Sequence, residues 1–271
     1  MVGNAATKIV GILNVTPDSF SDGGKFNSLD GAMTHLKKML ADGADVIDVG
    51  AESTRPGATP IGPEEEMKRL NKILPAVIAE VKKSPKKIEV SIDSYHFATI
   101  KKTHEMGVDI INDVGGLSDE RIMQFIGEKH IKTILMHNLK IPPLSDVVIN
   151  QYANVAEEIL YWAREKIIKM GKKNIKPEQI IFDPGIGFGK NSWQSIRILK
   201  NIDAYKVLGL PLYIGHSKKS FLKEINFVES ATNVEEKTLI ISDYLINKGV
   251  DFLRVHDVEG HVNLVNKAEL Y

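Results

Sequence analysis

Ile180-Ile-Phe-Asp-Pro-Gly-Ile-Gly-Phe-Gly-Lys190 decides the fold. Three apolar residues run into Asp183, and glycines follow at 185, 187 and 189. An apolar run that ends in a carboxylate reads as a parallel strand buried on both faces, its last side chain projecting from the carboxyl end. The glycines let the backbone approach a ligand closely and take dihedral angles that other residues resist. Taken alone, Asp183 is explained equally well as a cap for the next helix. Its neighbourhood in the chain shifts the balance, because the same arrangement recurs on both sides.

Strand-like runs lie at 9–15, 45–49, 88–93, 109–112, 131–136, 180–182, 212–214 and 252–255. Helical periodicity separates them at 29–40, 63–81, 97–106, 120–127, 152–170 and 193–202, then from about 219, over 234–247, and over 260–268. The stretch 29–40, for example, carries apolar residues at 29, 32, 33, 36, 39 and 40, one face of a helix. The stretch 63–81 opens on a proline and three glutamates, which suit a helix start. Every crossover is long enough for parallel pairing. Eight such units predict an α/β architecture, a (β/α)8 TIM barrel, as a single domain over 1–271. A doubly wound open sheet is the alternative, but no Gly-x-Gly-x-x-Gly follows the first strand.

At 271 residues and 43% hydrophobic, the chain can bury a large core. Lys+Arg 35 against Asp+Glu 35 leaves no basic excess for nucleic acid or an anionic membrane. With no cysteine, disulfides, thiolate metal sites and a cysteine nucleophile are excluded. Neither a signal peptide nor a membrane-spanning run is evident, so a soluble, cytoplasmic protein is expected.

In a barrel, chemistry sits at the carboxyl ends of the strands. Those ends carry Asn14, Glu52, Asp93, Asn112 with Asp113, His137, Asp183, Ser217, and Arg254 with His256. Asp113 and Glu52 are the natural turn residues among them. A rim of hydrogen-bonding groups at nearly every strand end marks an enzyme or a small-molecule binding barrel. Asp93, Asn112 and Asp183 accept hydrogen bonds and suit a flat heterocycle with several N–H groups, beside Lys218. Asn14, Arg254 and His256 suit an anion, with Asn14 offering an oxygen to a hard cation such as Mg²⁺. The plain alternative pairs Arg254 and His256 with carboxylates inside the barrel. Gly215-His-Ser-Lys-Lys-Ser-Phe221 suggests a helix start at Ser217, a seat for a carboxylate or phosphate.

These residues together resemble dihydropteroate synthase. The likeness rests on Gly11-Ile-Leu-Asn-Val-Thr-Pro-Asp-Ser-Phe-Ser-Asp-Gly-Gly24 and Asp48-Val-Gly-Ala-Glu-Ser-Thr-Arg-Pro-Gly57. Ser91 to Ser94, Ile110 to Val114, Phe182 to Lys190, Ser217 to Phe221 and Arg254 to Asp257 follow in the family's order. The resemblance implies a homodimeric, Mg²⁺-dependent barrel that joins 6-hydroxymethyl-7,8-dihydropterin diphosphate to p-aminobenzoate in folate synthesis. Its pterin residues fall on Asp93, Asn112, Asp183 and Lys218. Its diphosphate and Mg²⁺ positions fall on Asn14, Arg254 and His256. Its p-aminobenzoate region falls on Thr54, Arg55, Pro56, Phe188, Ser217 and Lys218, with Phe20 closing over it. Asp22 falls on a loop aspartate of the closed, active state.

The implied mechanism is dissociative: diphosphate departs and the amine captures a pterin methylene cation. Asp22, Asn14, Lys218, Arg254 and His256 are the residues expected to carry it. The chain departs from the family at 138–144, where Asn-Leu-Lys-Ile-Pro-Pro-Leu replaces a Gly-Thr-Pro-type loop, and at 218–219, where Lys-Lys replaces Arg-Lys. Lys218 is the expected pocket lysine and Lys219 its rival, although solvent exposure is the simpler reading of Lys219. The polar, glycine-bearing loop 16–27 reads as a lid. Another pterin-binding barrel, a methyltetrahydrofolate:corrinoid methyltransferase, would share Asp93, Asn112 and Asp183. It has no need of Arg254 and His256. A catalytically dead barrel would not need Asn14, Asp22, Lys218 and Arg254 intact.

Overall fold

The computed structural model describes residues 6–16, 28–55, 57–144, 146–150, 153–225 and 233–270. Expectations for Phe20, Asp22, Pro56 and most of the loop 16–27 lie outside these residues.

The apolar runs form eight strands: β1 Lys8–Asn14, β2 Val46–Gly50, β3 Glu89–Asp93, β4 Ile110–Asp113, β5 Lys132–Met136, β6 Ile180–Asp183, β7 Tyr213–Ile214 and β8 Phe252–Val255. Between them lie α1 Ser28–Ala41, α2 Pro63–Leu70, α3 Leu74–Val81, α4 Phe97–Met106, α5 Glu120–Lys129, α6 Val155–Gly171, α7 Ser192–Lys200 and α8 Val234–Asn247. A final helix, α9 Val258–Ala268, follows β8. The strands pair in the order β6-β5-β4-β3-β2-β1-β8-β7, every pairing parallel. A single parallel bridge, Phe182 to Leu212, joins the two ends of that order. This is the expected (β/α)8 barrel.

Alternation along each strand builds two apolar layers. Val10, Val46, Ile110, Ile134, Ile181, Tyr213 and Phe252 face inward and fill the lower barrel. Leu13, Ile47, Ile92, Ile111, Leu135 and Leu253 face outward and are fully buried beneath the helices. Truncating one of these leucines to alanine costs about 2–5 kcal/mol, because so close-packed a site collapses only partly.

The structure corrects two helices. The stretch 63–81 is two helices, since Pro75 lies in the first turn of α3 and has no N–H to continue α2. The segment expected as a helix from about Lys219 is a short 3-10 turn, Ser220–Glu224. Lys218 before it takes φ 56, a left-handed angle from which an α-helix does not start. Caps bound other helices. Asn191 and Gln194 close a capping box on α7 at 2.8 and 3.1 Å, and Gly107 ends α4 at φ 108.

Candidate active site at the barrel mouth

Period-two alternation carries the inward face from the apolar floor up to a polar layer. Asp48, two residues above Val46, is fully buried; Asn112 stands two above Ile110, Asp183 two above Ile181, and Arg254 two above Phe252. Asp93 is in register with Asn112 across β3 and β4. Arg254 donates from Nε to Asp48 Oδ2 at 2.6 Å and from Nη2 to Asp93 Oδ2 at 2.8 Å. Asn112 Nδ2 donates to the same Asp48 oxygen at 3.1 Å. Asp48 Oδ1 is buried with no partner among the described residues.

A bare Gly50 makes room for this cluster. A Cβ there would stand 3.3 Å from Asn14 Oδ1 and 3.5 Å from the Asp93 Cβ. Asn14 therefore sits at the edge of the same patch. Asp183 lies across β5, two strands or roughly 10 Å from Asn112. Its Oδ1 accepts the Gly185 N–H at 2.7 Å. At Gly185, φ is 68 and a Cβ would overlap the His137 carbonyl, so glycine is required.

The electrostatics follow from burial. Loss of water raises the Asp93 carboxyl to about 7, even with Arg254 pulling the other way. Burial also raises Asp183 against the opposing pull of Lys219 and the Gly185 N–H. Burial disfavours the Arg254 charge, but Asp48 and Asp93 outweigh it and hold the guanidinium protonated. The result is a fixed cation between two acids at the floor of an open mouth.

The structure brings most of the expected residues together and corrects one. Lys218 points away from the mouth, is exposed, and pairs with Glu235. Lys219 is the pocket lysine: it donates to the Ile186 carbonyl and lies 4.7 Å from the centre of the Phe188 ring. Burial lowers Lys219 to about 8, against the pull of Asp183. The left-handed turn at Lys218 swings consecutive lysines to opposite sides, which a chain read as a helix start does not anticipate. The proposed N-terminal seat is corrected with it. The Lys218 N–H is turned to Thr238 Oγ1 at 3.3 Å and the Lys219 N–H to the His216 carbonyl at 3.3 Å.

Ser217 Oγ meets His256 Nδ1 at 3.0 Å and accepts the His256 backbone N–H at 3.3 Å. Burial, then Arg254, Lys218 and Arg55, lower His256 to about 4, so its ring is neutral at pH 7. Among the described residues neither His256 nor Ser217 pairs with a carboxylate. Arg254 does, as the plain reading had it. Thr54 is half-buried and Arg55 exposed. Glu52 and Asp113 are turn residues as expected. Glu52 accepts from Ile61 N at 3.1 Å, and Asp113 from Gly115 N at 2.6 Å and Leu117 N at 3.2 Å.

Asp48 and Lys190 escaped the sequence reading. Asp48 had a signal, a lone acid at an inward position of an apolar strand. Lys190 is buried, its Nζ 2.6 Å from His137 Nδ1 and 2.8 Å from the His137 carbonyl. It ties the glycine loop to the end of β5. Among the described residues no three His, Cys, Asp or Glu converge to hold a metal. The lone Asn14 oxygen fits Mg²⁺, which takes few protein oxygens and completes its shell from substrate and water.

Barrel, acid–amide cluster and neighbouring cations suit an enzyme acting on a flat, donor-rich ring. Residues 10–256 match the family model described as pterin binding enzyme, and the chain belongs to that family. Relatives that it resembles include dihydropteroate synthases. The one from Clostridium beijerinckii is 40% identical over 255 residues, 93% of this chain and 89% of that one. A solved dihydropteroate synthase from Anaplasma phagocytophilum, with bound 6-hydroxymethylpterin-monophosphate, is 38% identical with a TM-score of 0.87 and covers 98% of this chain and 99% of its own. That of Xanthomonas albilineans, with 4-aminobenzoic acid, is 28% identical with a TM-score of 0.86, covering 98% and 93%.

Proposed function

We propose that the chain condenses 6-hydroxymethyl-7,8-dihydropterin diphosphate with p-aminobenzoate to give 7,8-dihydropteroate and diphosphate. The observation that carries this reading is Arg254 held between Asp48 and Asp93, beside Asn112 and facing Asp183 and Lys219. A pterin ring offers N–H and amino donors to Asp93 and Asp183, and Asn112 supplies an acceptor and a donor. Buried carboxylates then gain the hydrogen bonds that their desolvation demands. Known relatives supply the substrate classes: one binds a pterin phosphate and another 4-aminobenzoic acid.

The reaction is dissociative. The C–O bond to diphosphate breaks with its electron pair on oxygen, leaving a methylene cation conjugated with the pterin. The aniline nitrogen donates its lone pair to that carbon and then loses a proton. Catalysis is charge stabilisation where charge develops. Arg254, whose remaining N–H groups are free of Asp48 and Asp93, and the neutral His256 donate to the departing diphosphate. Asp93 and Asp183 favour the cationic ring. Mg²⁺, when bound through Asn14, would neutralise further charge on the leaving group. Phe188, Lys219, Thr54, Arg55 and Ser217 form the side that receives p-aminobenzoate, with Phe20 and Pro56 assigned by resemblance. Asp22 is assigned by resemblance to the closed state.

A homodimer is part of the same reading. Tyr161 and Ile168 on α6 and Ile240 and Tyr244 on α8 are exposed apolar side chains that a second copy would cover. The cytoplasm is the proposed location; among the described residues no helix is long and apolar enough to cross a membrane.

The test is turnover of pterin diphosphate and p-aminobenzoate with Mg²⁺ and the purified chain. Dihydropteroate is the expected product, inhibited competitively by sulfonamides. Absence of product would remove the reading in favour of a binding barrel or a methyl transferase.

A further inference from the structure

The last strands of the barrel are weakly laddered. β7 holds two residues and is paired to β8 only at Tyr213–Phe252 and Ile214–Leu253, and to β6 by one bridge. Ser217 and His256 lie beyond those pairs and meet through the Ser217 side chain. Two hydrogen-bond chains run from His216-Ser217 to the far end of β8. On the rim, Ser217 Oγ accepts the His256 backbone N–H on one of its two lone pairs, and its proton has His256 Nδ1 within reach as acceptor. Beneath, His216 Nε2 meets Ser242 Oγ at 2.9 Å, Ser242 Oγ meets His261 Nε2 at 2.8 Å, and His261 Nδ1 reaches the Asp257 carbonyl.

Two carbonyls fix the direction of the buried chain. Carbonyl oxygens only accept, so His261 Nδ1 carries the proton that the Asp257 oxygen takes, and its Nε2 accepts from the Ser242 hydroxyl. His216 Nε2, 3.2 Å from the Thr238 carbonyl, likewise carries a proton and donates to Ser242 Oγ. His216 Nδ1 is left as a buried, unpartnered acceptor, which suits a ring that burial holds neutral at about 3. Ser242 is fully buried and touches both histidines from α8.

We propose that the His216–Ser242–His261 chain is a positioning device. It sets Ser217 against His256 and so holds His256 as a neutral Nε2–H donor toward the anionic end of a substrate. The inference rests on the assignment of the Ser217–His256 edge to such an anion. Its action is through Ser217, and none of the three residues touches substrate.

Nitrogen-15 NMR of the wild-type chain at pH 7 tests the proton assignments without activity. The expected pattern is protonated Nε2 on His216 and His256 and protonated Nδ1 on His261. Protonated Nδ1 on His256, or a charged ring, overturns the proposal even if the enzyme turns over. Ser242→Ala should shift His256 toward a mixture of tautomers, raise KM for the pterin diphosphate and lower kcat, together roughly fivefold to tenfold in kcat/KM. Val77→Ala, in α3 far from this edge, serves as a control matched for thermal destabilisation and should leave kcat/KM unmoved. An unchanged kcat/KM and His256 tautomer in Ser242→Ala would reduce the chain to packing. Absence of wild-type turnover would instead sink the functional assignment and leave the proton pattern standing.

Discussion

Arg254 Nε lies 2.6 Å from Asp48 Oδ2, and Asn112 donates to that same oxygen. One buried acid at the second level of β2 thus orients both a cation and an amide from β8 and β4. Asp48 is a positioning residue for groups that face the ring, and its other oxygen has no partner among the described residues.

Asp48→Asn should destabilise the fold by roughly 3 kcal/mol, the lower end of the loss when one partner of a buried ion pair is removed, because Arg254 keeps Asp93. The urea midpoint reads this. Catalysis should fall with it as Arg254 loses its anchor, and a variant as stable and active as wild type would contradict the arrangement.

Asp183→Asn replaces an acceptor-only carboxylate with a group half of which donates. Pterin affinity should drop by about 1.5–3 kcal/mol, the value of hydrogen bonds to a charged partner, which is roughly tenfold to a hundredfold. Calorimetric titration with a pterin measures it, and unchanged binding would place the ring elsewhere.

The two lysines separate cleanly. Lys219→Ala should lower kcat/KM roughly 100-fold, as for other groups that stabilise developing charge. Lys218→Ala removes only an exposed pair with Glu235 and should change stability by less than about 1 kcal/mol and activity little. Steady-state kinetics on both variants decide; the reverse ranking would restore Lys218 to the pocket.

Pterin binding should be linked to protons. Burial lifts Asp93 to about 7 from 3.8, so near neutral pH the free enzyme holds part of a proton there. A donor-rich ring selects the carboxylate, so binding releases that proton and affinity rises with pH up to about 7. The same raised value means that ionised Asp93 weakens the fold as pH climbs from about 4 to about 7, since the folded state binds the proton more tightly. Titrations in buffers of different ionisation enthalpy measure the release; zero release at pH 6.5, roughly the middle of the transition, would count against Asp93 as the acceptor.

Much of this was legible in the chain. Asp93, Asn112, Asp183 and Arg254 could be placed on one rim because strand parity and strand-end position are local properties, carried by alternation and by the glycines that follow. The break before α3 is written in Pro75, although apolar periodicity runs across it. The Lys218 and Lys219 assignment was not legible. A single left-handed residue reverses which of two adjacent side chains enters the pocket, and nothing in the pair Lys-Lys announces that angle.

By itself the sequence determined the order of the strands and of most helices, and which acids and amides would crown the strands, because those follow from periods of two and 3.6 residues. Only the tertiary structure decided who partners whom: Asp48 with Arg254, Ser217 with His256, Lys190 with His137. Each pair joins residues dozens to hundreds of positions apart in the chain. Their contact depends on barrel closure and on the desolvation that closure imposes, and neither exists until the strands have met.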